Sequence, residues 1–316
     1  MSSERMIEAD NLTKYFGDYP AITGVTFAAT KGEVLGFLGP NAAGKTTTMR
    51  ILTGFMPPSS GTASIAGFDV VSDSLEARRH IGYLPETVPL YTDMTVKDYL
   101  RFMGKIRGMN SKEIERRIAD VVDTCHLEAY YTSHIAKLSK GFRQRVGIAQ
   151  AILHEPEVLI LDEPTVGIDP IQVVETRELI KGLGGDRTII LSTHILPEVS
   201  MICERVIIIH EGEIVAVDHP EVLAERLEGT EHIRIGVIGP RSEVIRALRE
   251  VQGVQEVTST EEEGWGSYSV FSRRGDQIRI EIAKVVVEHG WGLLSLETLN
   301  LSLEEIFLRL TTSEEA

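Results

Sequence analysis

Val34-Leu-Gly-Phe-Leu38 runs directly into Gly39-Pro-Asn-Ala-Ala-Gly-Lys-Thr-Thr47, and the chain continues through Met49-Arg-Ile-Leu52. An apolar run that stops at glycine reads as a buried strand, and residues 45–52 read as the start of a helix. Strand, glycine loop, helix is the setting in which Gly-x4-Gly-Lys-Thr binds phosphate. Gly39 and Gly44 let the backbone curl, so that successive N–H groups face the phosphates at the positive end of the helix. Pro40, Asn41, Ala42, Ala43 and Thr47 complete the cradle. Lys45 is expected to reach the β- and γ-phosphates as a point charge, and Thr46 to offer its hydroxyl to Mg²⁺.

Working outward, Val158-Leu-Ile-Leu161 is a second fully apolar run, closed by Asp162-Glu163. Acids at the carboxyl end of a buried parallel strand sit where such sheets bind ligands. Asp162 suits Mg²⁺, through a water. Glu163 suits the orientation and polarisation of a water attacking the γ-phosphate in line. A third run covers residues 188–192, with a helix expected at about 170–183. Apolar strands alternating with helices predict an α/β fold with a largely parallel sheet covered on both faces. Residues 6–12 and 25–28 alternate like half-buried strands. Residues 87–155 are expected to be mainly helical, with Thr95-Val-Lys-Asp98 as a capping box and Ile114, Ile118, Val121 and Val122 on one apolar face. A hairpin turning at Glu211-Gly212 ends this part near residue 230.

Residues 231–316 have a different rhythm. Strands are expected at 232–238, 254–259, 267–272 and 293–299, and helices at 242–251 and 277–289. Glu261-Glu-Glu-Gly264 forms a turn, and a last amphipathic helix covers 302–310. The order β-α-β-β-α-β predicts a small ferredoxin-like sandwich.

The 316 residues carry 32 basic and 47 acidic side chains, a formal charge of −15. Residues 231–316 hold 9 basic and 15 acidic groups, so both parts share the acidity. No Lys/Arg stripe tracks a phosphate backbone, which argues against nucleic acid as a partner. The longest apolar runs fall far short of the roughly 20 residues needed to cross a bilayer, and no hydrophobic signal region follows Met1-Ser-Ser-Glu-Arg5. A cytoplasmic location is expected, with any membrane-spanning part supplied by another chain. Cys125 and Cys203 stand apart, without disulfide or zinc spacing, and read as small buried hydrophobes.

Residues 6–228 closely resemble the nucleotide-binding subunit of an ATP-binding-cassette (ABC) transporter. The motifs stand in that family's order: Walker A at 39–47, a glutamine-loop position in Tyr83-Leu-Pro-Glu86, the signature Leu138-Ser-Lys-Gly-Phe-Arg-Gln-Arg145, Walker B at 158–163, the D-loop around Gly167-Ile-Asp169, and a switch histidine in Leu191-Ser-Thr-His194. The resemblance implies a P-loop ATPase that uses ATP and Mg²⁺. It works as a head-to-tail dimer, with itself or with a second ABC subunit, on the cytoplasmic face of the cell membrane. Ser139 and Gly141 would contact the γ-phosphate held by the opposite subunit, and Asp169 would transmit state between the two sites. His194 would stabilise charge at the γ-phosphate. Phe16, or its neighbour Tyr15, would stack on adenine.

Ala42 stands where this family usually has glycine, and a positive φ there would cost about 1 kcal/mol. Glu86 replaces the usual glutamine; it keeps an oxygen for Mg²⁺ or the attacking water and adds negative charge. Lys140 and Phe142 replace a glycine and a glutamine of the signature; Lys140 either attracts ATP across the interface or points to solvent. These departures, with the appended C-terminal part, resemble bacterial exporter subunits for drugs, polysaccharides, lipids or gliding motility, which pair with separate membrane permeases. Thr87-Val-Pro-Leu-Tyr91 either receives a helix of that permease or packs internally.

Overall fold

The computed structural model describes residues 4–220, 222, 230–262, 265–273 and 276–299. They form two compact units, divided between Pro220 and Glu221, earlier than the boundary expected at residue 230.

The first unit holds two sheets. Strands β1 (Arg5–Phe16) and β2 (Tyr19–Thr30) pair antiparallel, and β4 (Ser60–Ile65) and β5 (Phe68–Asp69) extend them in the order β2-β1-β4-β5. The second sheet contains β3 (Val34–Leu38), β6 (Ile81–Leu84), β7 (Val158–Asp162), β8 (Thr188–Thr193), β9 (Arg205–His210) and β10 (Glu213–Asp218). Its order is β10-β9-β3-β8-β7-β6, parallel throughout except for the β9–β10 hairpin. Every residue of β3, β7 and β8 is buried, which explains their unbroken apolar runs. The two sheets share one core: Phe27 of β2 meets Phe37 of β3 at a ring separation of 5.5 Å, amid Ile7, Ile65, Ile160, Ile190 and Ile207.

The helices are α1 (Lys45–Leu52), α2 (Ser74–Arg79), α3 (Val96–Ile106), α4 (Ser111–Thr124), α5 (Lys140–Ile152), α6 (Pro170–Leu183) and α7 (Leu196–Ile202). Side-chain caps open four of them. Thr95 accepts the Asp98 N–H, Asn110 that of Glu113, Ser139 that of Phe142 and Asp169 that of Gln172. Each such cap is typically worth about 1 kcal/mol. Strands β4, β5 and β6 and helix α2 were not anticipated: they span only two to six residues each, too short for periodicity to register.

The second unit contains β11 (Thr230–Ile238), α8 (Arg241–Glu250), β12 (Val254–Glu262), β13 (Trp265–Arg273), α9 (Asp276–Glu288) and β14 (Gly292–Leu299). The sheet is antiparallel in the order β12-β13-β11-β14, compatible with the expected β-α-β-β-α-β sandwich. Ile235 and Val237 pack with Val244, Leu248, Ile282 and Val286 in its core. The expected helix at 302–310 and the tip of the turn after Glu262 lie outside the described residues. Among the described residues no helix is long and apolar enough to cross a membrane.

Candidate active site

The carboxyl ends of β3, β7 and β8 lie side by side, and each carries one of the motifs. Gly39 follows β3, Asp162 and Glu163 close β7, and His194 follows β8. This is where parallel α/β sheets place ligands. The loop after β3 has no room for other residues at its glycines. Gly44, with φ +107°, caps α1, and a Cβ there would come within 2.6 Å of Ile22 Cγ2 and 2.9 Å of the Ala21 carbonyl. Ala42 does adopt φ +65°, so the left-handed strain foreseen for it, about 1 kcal/mol, is present.

Lys45 is 5% exposed. Its ammonium donates to the Gly39 carbonyl at 2.7 Å and the Pro40 carbonyl at 2.9 Å, and pairs with Glu163 Oε1 at 3.2 Å. The other carboxylate oxygen of Glu163 accepts from His194 Nδ1–H at 2.9 Å. Glu163 is thus held between a fixed cation and an imidazole, and its backbone is strained, with φ +49°. Ser192 secures it: the Glu163 N–H donates to the Ser192 carbonyl at 3.1 Å and to its Oγ at 3.0 Å. Left-handed backbone at a non-glycine residue persists only where the surroundings over-determine it, and here they do.

Asp162 is fully buried. Its Oδ1 accepts from Ser192 Oγ at 2.6 Å and from Thr46 Oγ1 at 3.3 Å, whereas Oδ2 has no hydrogen-bond partner among the described residues. Burial raises its pKa above the usual carboxylate range, against the lowering effect of those two hydroxyls. A buried carboxylate oxygen left without a donor, beside a threonine hydroxyl, with Glu86 on the same cleft, is an all-oxygen set that fits a hard divalent cation such as Mg²⁺.

These groups surround one cleft of about 600 Å³, lined by Lys45, Thr46, Thr47, Asn41, Ala42, Gly44, Glu86, Glu163 and His194. Phe16 also lines it, whereas Tyr15 does not. Tyr19, across the β1–β2 turn, joins it and was not foreseen; nothing in its local sequence marks it. Ser192 was likewise missed, although a polar residue at the end of an apolar strand was the signal. Ser139, Gly141 and Asp169 do not line this cleft. They gather elsewhere: Ser139 and Asp169 cap α5 and α6, and the Gln172 side chain of α6 fills the place a Cβ on Gly141 would take. The Lys140 ammonium rests against Gly167 of its own chain. The Phe142 ring packs against Tyr130 at 4.1 Å, tilted by 44°, and the Arg145 guanidinium lies over it at 5.4 Å. Cys125 and Cys203 are buried and free, and burial pushes both thiols up to about 12.

The ABC transporter family profile matches residues 22–166. The chain is 33% identical over 307 residues to the linearmycin resistance ATP-binding protein LnrL of Bacillus subtilis (strain 168), covering 97% of this chain and 98% of that one. It belongs to the ABC transporter ATP-binding proteins. The bacitracin transport ATP-binding protein BcrA of Bacillus licheniformis is 34% identical, over 96% of this chain and 97% of its own. A solved ATP-binding subunit of an ABC transporter superposes with a TM-score of 0.63 at 32% identity, over 70% of this chain and 93% of that one. The protein is therefore an ATP-binding ATPase subunit of the exporter type. Subunits of this family form dimers and work with transmembrane partners.

Proposed function

We propose that the cleft hydrolyses Mg-ATP and that this drives export of a drug-like or lipid-like cargo through a separate permease. The observation that carries the proposal is the convergence of Lys45, Thr46, Glu163 and His194 on one cleft at the ends of three adjacent strands, with the buried Asp162 hydrogen-bonded to Thr46. The loop of 39–47 wraps the phosphates with backbone N–H groups, and Phe16 stacks on the adenine. On nucleotide binding phosphate oxygens replace Glu163 as the partner of Lys45, which frees Glu163 to accept a proton from the attacking water. His194 stays on Glu163, fixing its carboxylate and facing the charge that builds on the γ-phosphate. Thr46, Asp162 and Glu86 would hold Mg²⁺, and the ion would supply charge neutralisation at the phosphates.

Ser139 and Gly141 sit away from their own chain's cleft, which supports a head-to-tail dimer in which each chain completes the other's site. The partner cassette is a second copy or another ABC subunit, and Asp169 relays its state. The permease docks on residues 87–91, at the cytoplasmic face of the cell membrane; Tyr91 is 52% exposed there and rests edge-on against Phe102 at 5.5 Å. Residues 1–230 act as the motor, and the C-terminal unit supports dimerisation or regulation.

Glu163→Gln tests this reading. Removing a general base typically lowers turnover by roughly 10²–10⁴-fold, so the variant should bind Mg-ATP and accumulate as a closed dimer in size-exclusion chromatography. Pulled from detergent-solubilised membranes in that state, it should bring a polytopic membrane protein. Near wild-type turnover removes the role given to Glu163, and recovery with ribosomes or nucleic acid removes the transporter reading.

A further inference from the structure

Behind the Glu163–His194 pair lies a second, buried carboxylate. We infer that Glu198 is a positioning residue for hydrolysis, locking the Glu163 loop, the His194 loop and helix α6 to one another; the inference rests on the roles given to Glu163 and His194. Glu198 lies in the first turn of α7 and is 2% exposed. Its Oε2 accepts from Thr165 Oγ1 at 2.7 Å and from Thr193 Oγ1 at 2.9 Å, and its Oε1 accepts from the Arg177 guanidinium at 3.2 Å.

Each donor comes from a different functional segment. Thr165 stands two residues after Glu163, whose backbone is strained. Thr193 directly precedes His194, and its hydroxyl also accepts the Ile195 N–H at 3.1 Å, so its bonds bracket the histidine. Arg177 belongs to α6, the helix opened by Asp169 and facing Gly141 through Gln172. The two loops that meet at the Glu163–His194 contact are therefore stitched together a second time behind it, by one carboxylate that also holds α6.

The chemistry of the junction fits positioning better than packing. A carboxylate this deep is costly unless every lone pair facing protein is engaged, and an apolar side chain of similar volume often serves stability as well. An acceptor shared by two hydroxyls and a guanidinium instead fixes direction, as the supporting shell of a catalytic group must. A misplacement of about 1 Å costs a reaction of this kind as much as roughly a hundredfold.

The test uses the full chain with Thr165→Val, Thr165→Ser and Glu198→Gln beside Glu163→Gln. Valine keeps the threonine shape and removes only the donor. Turnover, KM for ATP, affinity for a non-hydrolysable ATP analogue and the thermal unfolding temperature are measured for each. Thr165→Val should lower kcat roughly tenfold to a hundredfold, with analogue affinity and unfolding temperature close to wild type. Thr165→Ser should recover most of the rate, and Glu198→Gln should lose rate without losing affinity. Wild-type turnover in Thr165→Val and Glu198→Gln, with Glu163→Gln inactive, overturns the role of Glu198 alone. Rate, affinity and thermal stability falling together, with serine no better than valine, overturns it in favour of plain packing. Full turnover in Glu163→Gln removes the site assignment and this inference with it.

Discussion

Glu163→Gln should change the protein before any chemistry occurs. In the structure Lys45 and Glu163 are almost fully buried and face each other at 3.2 Å, with His194 on the far carboxylate oxygen at 2.9 Å. A glutamine keeps one acceptor oxygen and turns an NH₂ toward either the ammonium or the imidazole N–H. Losing a hydrogen bond to a charged group costs about 1.5–3 kcal/mol, and Lys45 retains the Gly39 and Pro40 carbonyls, so about 2 kcal/mol is expected. For a domain of 150–250 residues, 1 kcal/mol moves Tm by about 2–4 °C, which puts the variant roughly 4–8 °C below wild type without nucleotide. Phosphate oxygens replace Glu163 as the partner of Lys45, so the deficit should vanish with bound nucleotide. By linkage, 2 kcal/mol present in one state and absent in the other is about a thirtyfold gain in affinity. Differential scanning fluorimetry with and without a non-hydrolysable ATP analogue, paired with a direct Kd for that analogue, measures both quantities. Equal melting temperatures without nucleotide, together with equal Kd values, would refute the view that Glu163 is the buried counter-ion of Lys45.

Gly44→Ala should abolish nucleotide binding and destabilise the fold by about 2 kcal/mol or more, because φ +107° is closed to alanine and its Cβ would strike Ile22 and the Ala21 carbonyl; chemical denaturation with a nucleotide titration checks this. Leu90→Asp and Tyr91→Asp should leave ATP affinity unchanged and uncouple transport, read as lost export with retained ATPase, and normal export in both would exclude docking at residues 87–91. His154 should make stability depend on pH: burial lowers its pKa from 6.5 to about 4, its Nε2–H donates to the Ile81 carbonyl, and Nδ1 has no partner among the described residues. The folded state therefore prefers the neutral ring, so this contribution is complete above pH 6.5 and is lost as pH falls towards 4, by about 3 kcal/mol at most. Urea midpoints of His154→Gln should lack that part of the slope, and parallel curves for the two proteins would exclude it.

The phosphate loop, the buried strands and the acids that close β7 were legible because each depends on local pattern: apolar runs, glycines at fixed spacing, polar groups at a strand end. The same holds for the cap Thr95, where the residue type carries the mechanism. Strands β4, β5 and β6 were not legible, since all three are too short to show a period and β4 and β6 also pair with partners far along the chain. Ser192 and Glu198 were hidden for a different reason. Ser192 matters only because β8 lies beside β7 in a register that sets it opposite Asp162. Glu198 matters only because α7 brings it under two threonines that lie 28 residues apart, at 165 and 193. Glu198 has no local signature and Ser192 only that of a polar residue ending an apolar strand; both become visible once the strand order is known.

That register explains how a strained residue can be held in the cleft, as the proposed base must be. Glu163 carries a left-handed backbone, costing about 1–2 kcal/mol, and sits next to a buried aspartate with which it shares negative charge. Left alone, the loop would relax towards an unstrained conformation and draw the carboxylate out of the cleft. Ser192 prevents this through its carbonyl and hydroxyl together, while the same hydroxyl orients Asp162. One side chain on β8 therefore sets the positions of both acids on β7, and the residue after next, His194, grips the outer end of Glu163. A shift of β8 along its axis would move metal ligand, base and histidine together. The catalytic geometry is accordingly a property of the β7–β8 pair, and the loops only display it.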